Sequence, residues 1–182
     1  MIKPLLLLLS LLPLNQDLPT AQREVWRKRL HWPQNYEASF RTTNPEPEHA
    51  GVWLHSLGGS QYLVQIQTFS GAYQPGQIFY IYDSKNGKSR LLSFDWLSLD
   101  EKGKPVREHD QEMIGLASFT PGQGQLELFS KSRGPGDCGY LIRWRFRKSQ
   151  PILYEERARD CNVFIIEDNS VLDPTRWPRI AP

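Results

Sequence analysis

Only two cysteines, two methionines and four histidines occur in the 182 residues of this chain. A structural zinc site needs four ligands at characteristic spacing. Cys138, Cys161 and the scattered His31, His49, His55 and His109 do not supply one, so neither a metal nor another cofactor is expected. No sign of charge prevails either: 22 Lys plus Arg against 20 Asp plus Glu leave a formal charge of +2. Such a balance speaks against a nucleic-acid partner, which selects a strongly basic surface. No apolar run approaches the ~20 residues that a membrane-spanning helix requires. The longest, Leu5 to Leu14, is interrupted by Ser10 and Pro13. Catalytic motifs are missing as well. There is no G-x-S-x-G elbow, no Lys-Ser/Thr ending to a glycine loop and no C-x-x-C pair, so no catalytic residue is nominated from motifs.

What the chain does have begins at its N-terminus. Lys3, the short apolar core and the polar continuation Asn15-Gln16-Asp17 have the form of a secretory signal peptide. Residues 1–21 are assigned to it, with Ala21 as the possible last residue and an uncertain cleavage site because Pro19 is unfavourable there. Residues 22–182 are then one exported domain, periplasmic or extracellular, with no membrane span once the signal is removed. In an oxidising compartment an even cysteine count reads as a disulfide, here Cys138–Cys161. Closing a loop of that size stabilises by roughly 3 kcal/mol in the loop-entropy model. Two unpaired buried thiols or a redox pair are the alternatives.

Thirteen glycines, 14 prolines and 12% aromatics describe many turns joined by aromatic-rich segments. Val25, Trp26 and Leu30 predict one short helix over Gln22–His31, stopped by Pro33, with Arg23, Arg27, Lys28 and Arg29 as a solvated basic face. Asn44–His49 reads as a loop. Strands are expected at Gly51–Leu57, Gln61–Phe69, Gln77–Asp83, Ser89–Leu97, Pro105–Asp110, Glu112–Thr120, Gly124–Ser130, Tyr140–Arg147 and Pro151–Ala158. Asn86-Gly87 marks a hairpin because both positions tolerate positive φ. The clearest alternation sets Tyr140, Ile142, Trp144 and Phe146 inward against Leu141, Arg143, Arg145 and Arg147 on a mostly basic outer face. The fold class is therefore mainly β, an antiparallel sandwich or barrel-like sheet with a short N-terminal helix.

The most unusual string is Ser132–Gly139 (SRGPGDCG), a tight turn that presents Cys138 to Cys161 and could place Arg133 and Asp137 on a ligand surface. Ser70-Gly71-Ala72-Tyr73 resembles the Ser-Gly-x-x-Tyr loop of periplasmic lysozyme inhibitors, one residue short, which adds Tyr73 to the candidate binding surface. Asp168–Asp173 (DNSVLD) only vaguely suggests a calcium loop, since the glycine and terminal glutamate are missing.

Arg133-Gly134-Pro135-Gly136-Asp137-Cys138-Gly139, Glu156-Arg157-Ala158 leading to Cys161, and Asp173-Pro174 with Trp177-Pro178 together resemble the bacterial domain-of-unknown-function 1176 family, most closely its cyanobacterial members. Trp32-Pro33, Tyr62-Leu63-Val64, Gly71-Ala72-Tyr73-Gln74 and Tyr82-Asp83 agree more weakly. The resemblance implies an exported, β-rich, disulfide-bonded protein without established activity. Pro135 replaces an aliphatic residue, and a second cysteine pair that relatives carry near Tyr36 and Thr68 is absent.

Three functions follow as expectations. The first is a non-enzymatic binding or structural domain of the cell envelope, with an envelope protein or glycan as partner. The second is an inhibitor of an envelope hydrolase such as lysozyme. The third is a hydrolase whose site is assembled by folding from Asp137, Glu156 and His109, which then have to converge.

Overall fold

A computed structural model describes residues 20–161 and 172–181. The segment expected to be a signal peptide, apart from its last two residues, and most of the Asp168–Asp173 string lie outside the described residues. Two helices, α1 (Thr20–Leu30) and α2 (Gln34–Thr43), precede twelve strands. β1 (Val52–Gly58), β2 (Gln61–Ser70), β3 (Pro75–Asp83) and β4 (Ser89–Leu91) form an antiparallel sheet in chain order, with β7 (Glu112–Ile114) also pairing β3. The second sheet runs β12 (Arg179–Ala181), β11 (Gln150–Arg159), β10 (Gly139–Arg147), β9 (Gln125–Lys131), β8 (Leu116–Thr120). β5 (Phe94–Leu99) and β6 (Pro105–Asp110) make a separate hairpin. These sheets stack as a sandwich and no barrel closes, which decides between the two architectures left open by the sequence.

Period-two alternation gives the first sheet two apolar faces. Leu63, Phe79 and Ile81 pack against Leu126, Leu128, Ile142 and Trp144 of the second sheet. Val52, Val64, Ile66, Ile78, Tyr80 and Tyr82 pack against Trp26, Leu30 and Trp32. Phe94 bridges Phe79 and Trp144 with edge-to-face ring contacts at 5.3 and 4.9 Å, so the hairpin shares the main core. The outer face of the second sheet carries Arg143, Arg145 and Arg147 as the alternation implies, but Leu141 on that face is buried and Arg143 is held between Glu127 (2.6 Å) and Glu155 (2.7 Å).

Four expectations need correction. Ser89–Leu97 is two strands, because Leu92 turns inward, fully buried, and gives its N–H to the Phe79 carbonyl at 2.8 Å. Glu112–Thr120 is also two, in different sheets. They join at Gly115, where a β-carbon would lie 2.8 Å from the Phe129 carbonyl oxygen. Residues 34–43 are helical, with Phe40 buried. Arg23 is not solvated. It shares the inward face of α1 with Trp26 and Leu30, is 2% exposed, and donates to Glu37 (2.9 Å), Ala50 O (3.0 Å) and Gln67 O (3.0 Å).

Candidate functional site

The inner face of the first sheet changes character along its strands. Leu63, Phe79 and Ile81 fill one half with core, and register places Trp53, His55, Gln65, Gln67 and Gln77 on the other half. β8 passes opposite as the free edge of the second sheet, and between them lies a cavity of about 570 Å³. Buried amides are costly unless they are hydrogen-bonded. Here they form a one-way chain. His55 Nε2 meets Gln65 Oε1 at 3.1 Å, Gln65 Nε2 donates to Gln77 Oε1, and Gln77 Nε2 donates to the Gly115 carbonyl at 2.6 Å. A carbonyl can only accept, so the amide orientations follow backward from Gly115 and the proton belongs on His55 Nε2. Burial holds the His55 imidazole below its ordinary pKa, with the Gln65 hydrogen bond opposing, and the ring therefore stays neutral at neutral pH. Gln67 Nε2 donates to Ser70 Oγ at 2.7 Å, and Ser70 passes the chain to Asn44 Oδ1 at 2.7 Å. His49 lies against Trp53, ring centres 5.2 Å apart, and its Nδ1 accepts the Gly51 N–H at 3.1 Å.

The mouth of this cleft is built by two turns. Gln74, between β2 and β3, uses its side-chain amide like a strand residue: Nε2 donates to Lys131 O at 3.1 Å and Oε1 accepts Lys131 N–H at 2.7 Å. That clasp raises Tyr73, 65% exposed, beside the cavity. The Tyr73 ring rests on Gly134, where a β-carbon would come within 2.9 Å of it. Residues 132–139 are closed by Ser132 N–H on Cys138 O at 3.1 Å, by the Arg133–Asp137 ion pair and by the Cys138–Cys161 disulfide. The paired Arg133 guanidinium holds the Asp137 carboxyl below its usual pKa. Tyr73 lines the cleft and touches the 132–139 turn at Gly134, whereas Arg133 and Asp137 brace that turn and do not themselves line the cavity.

Asp137, Glu156 and His109 are not brought together. Asp137 holds Arg133, His109 Nδ1 meets Asp95 at 2.8 Å in the β5–β6 hairpin, and Glu156 accepts the Leu97 N–H at 2.9 Å while fully buried. Desolvation pushes the Glu156 carboxyl up to about 8, against the lowering by the Leu97 N–H. None of the three lines the cleft, nor a second cavity of about 370 Å³ between Trp96, Asp110, Met113 and Leu128. Among the described residues no group of three or more His, Cys, Asp or Glu is placed to hold a metal ion.

The polar floor escaped the sequence reading. Its signal was present: Leu63, Gln65 and Gln67 fall on the same face at alternate positions, so an inward-facing strand turns polar partway along its length. Comparison with known proteins gives a family but no activity. No curated protein matches the chain, and no solved structure does. The model of the family described as "Protein of unknown function (DUF1176)" matches residues 11–178, nearly the whole chain, and the chain belongs to that family.

Proposed function

We propose that the protein is an exported, non-enzymatic binding domain of the cell envelope, periplasmic or extracellular, whose ligand enters the cleft beneath Tyr73. The observation that carries this reading is the combination of a hydrogen-bonded polar floor with a fastened mouth. The Gln74 clasp and the disulfide-closed turn hold the rim in place before any ligand arrives, which reduces the ordering cost of binding. The signal-like residues 1–21 and the disulfide support export. No helix among the described residues is long and apolar enough to cross a membrane. Within the family we place the chain with the cyanobacterial-type members, on the Arg133–Gly139 and Asp173–Pro178 strings.

The test is saturable co-sedimentation of the purified, disulfide-intact protein with envelope fractions of its own organism. Wild type is expected to sediment, and Tyr73→Ala to remain largely in the supernatant with an unchanged melting temperature. Equal sedimentation of the two, or none, ends the reading.

Inhibition of an envelope hydrolase such as lysozyme is a second reading, favoured by the outward position of Tyr73 against Gly134 of the turn that the Arg133–Asp137 pair braces. Micromolar inhibition that disappears in Tyr73→Ala supports it; absence of inhibition at that concentration dismisses it.

A further inference from the structure

Which ligand class the cleft takes follows from what lines it. Charged residues make up 23% of the chain, yet among the described residues no Lys, Arg, Asp or Glu contributes to the cavity wall. An anion or cation seated against that wall would give up part of its hydration and find no opposite charge on it, which disfavours phosphates, carboxylates and ammonium groups relative to neutral ones. What the wall offers instead is amides. In the internal chain Gln65 uses one hydrogen of its Nε2 and one lone pair of its Oε1, so a donor and an acceptor remain on the same planar group. Gln77, 1% exposed, is spent inside the chain and serves to orient Gln65. Gln67 commits its Nε2 to Ser70 and Phe69, and its Oε1 takes no hydrogen bond among the described residues. With Gly51 donating to Nδ1, His49 has Nε2 as its remaining donor position. Paired donors and acceptors on rigid planes match adjacent hydroxyls, each of which is both donor and acceptor. Beside them stand the rings of Trp53 and Tyr73, flat apolar surfaces of the kind that cover the C–H face of a pyranose.

Resting on the binding-domain reading, we infer that the cleft is a site for a neutral sugar, taking one to a few uncharged pyranose units of an envelope glycan. A volume of about 570 Å³ is within the ordinary range of small-ligand sites.

The test titrates the purified protein with di-N-acetylchitobiose and cellobiose as neutral probes. Digalacturonic acid and the glucosamine dimer serve as an anion and a cation of the same shape. Calorimetry gives affinity and tryptophan emission reports on Trp53. At least one neutral disaccharide is expected to saturate the protein and to bind about tenfold or more tighter than either charged dimer, a gap of ~1.4 kcal/mol. Tyr73→Ala should weaken that binding about fivefold or more at unchanged melting temperature. Trp53→Phe, which keeps a ring, should retain calorimetric binding and lose most of the emission change. Equal affinity for the charged dimers overturns the inference, as does neutral binding insensitive to both variants. Saturation by a neutral peptide such as pentaalanine amide, without response to either sugar, overturns it in favour of peptide recognition. Loss of the sugar response with Tyr73-dependent envelope sedimentation intact removes the sugar and leaves the binding domain. Loss of both removes both.

Discussion

Under the β5–β6 hairpin, Glu156 has one oxygen on the Leu97 N–H and the other without a hydrogen-bond partner, both out of reach of water. Its carboxyl therefore keeps its proton to about pH 8, whereas in the unfolded chain it releases it near 4.5. Between those values the folded state holds a proton that the unfolded state has lost, so stability falls as pH rises through this window and the loss is complete above it. Urea midpoints measured from pH 5 to pH 9 are expected to decline in the wild type and to decline much less in Glu156→Gln, which keeps the acceptor for Leu97 and cannot ionise. At Gly139 the constraint is steric. A β-carbon there would sit 2.1 Å from the Ser130 carbonyl oxygen, at a φ of +133° that side chains rarely adopt. Gly139→Ala is expected to cost several kcal/mol, on the order of the larger single-site effects, read as a lowered melting temperature. The neighbouring Gly134 has only the Tyr73 ring, and no backbone, among its nearest atoms, so alanine there should displace that exposed ring and change stability far less than at Gly139.

At the scale of elements, α1 is fixed by its buried apolar residues Trp26 and Leu30 and, beside them, by one cation. Arg23 lies over the Phe40 ring at 3.7 Å and ties α1 to α2 through Glu37 and to the β-sheet through Gln67. Removing one partner of a buried pair typically costs about 3–5 kcal/mol, because the other is left in the dry interior. Arg23→Ala is expected to fall in that range by chemical denaturation, while Arg29→Ala, on the exposed side, should change little. The sequence reading saw a basic helical face and could not tell which of its arginines turned inward, since that depends on the carbonyls of residues 50, 51 and 67 arriving from distant strands. Strands with strict alternation, such as β10, were legible for the opposite reason: their pattern is local. The breaks at Leu92 and Gly115 were not, because a chain leaving one sheet for another is still extended and apolar on either side. α2 was missed because the Gln34–Thr43 stretch is short and mostly polar; Tyr36 and Phe40 alone carry its helical spacing. The rim of the cleft was half legible. Tyr73, Arg133 and Asp137 stood out as turn residues, but their meeting rests on the Gln74 clasp to Lys131, 57 positions away.

Across the whole molecule, helices cover one face of the first sheet, the second sheet covers part of the other, and the cleft is the part left uncovered. Its mouth joins residues from both sheets, so anything that loosens one sheet's turn is felt at the other's. The Cys138–Cys161 bridge spans 23 positions and closes the turn on which Tyr73 rests. Replacing both cysteines by serine is expected to lower stability by roughly 3 kcal/mol, measured as a shift of the urea midpoint. If the cleft binds as proposed, the same variant should also lose affinity, since the Tyr73 support is weakened. The bridge thereby orders events in time. A chain whose cysteines are still reduced has the glutamine floor without the covalent brace of the turn beneath Tyr73, so recognition of the kind proposed would mature only after that last covalent bond is made.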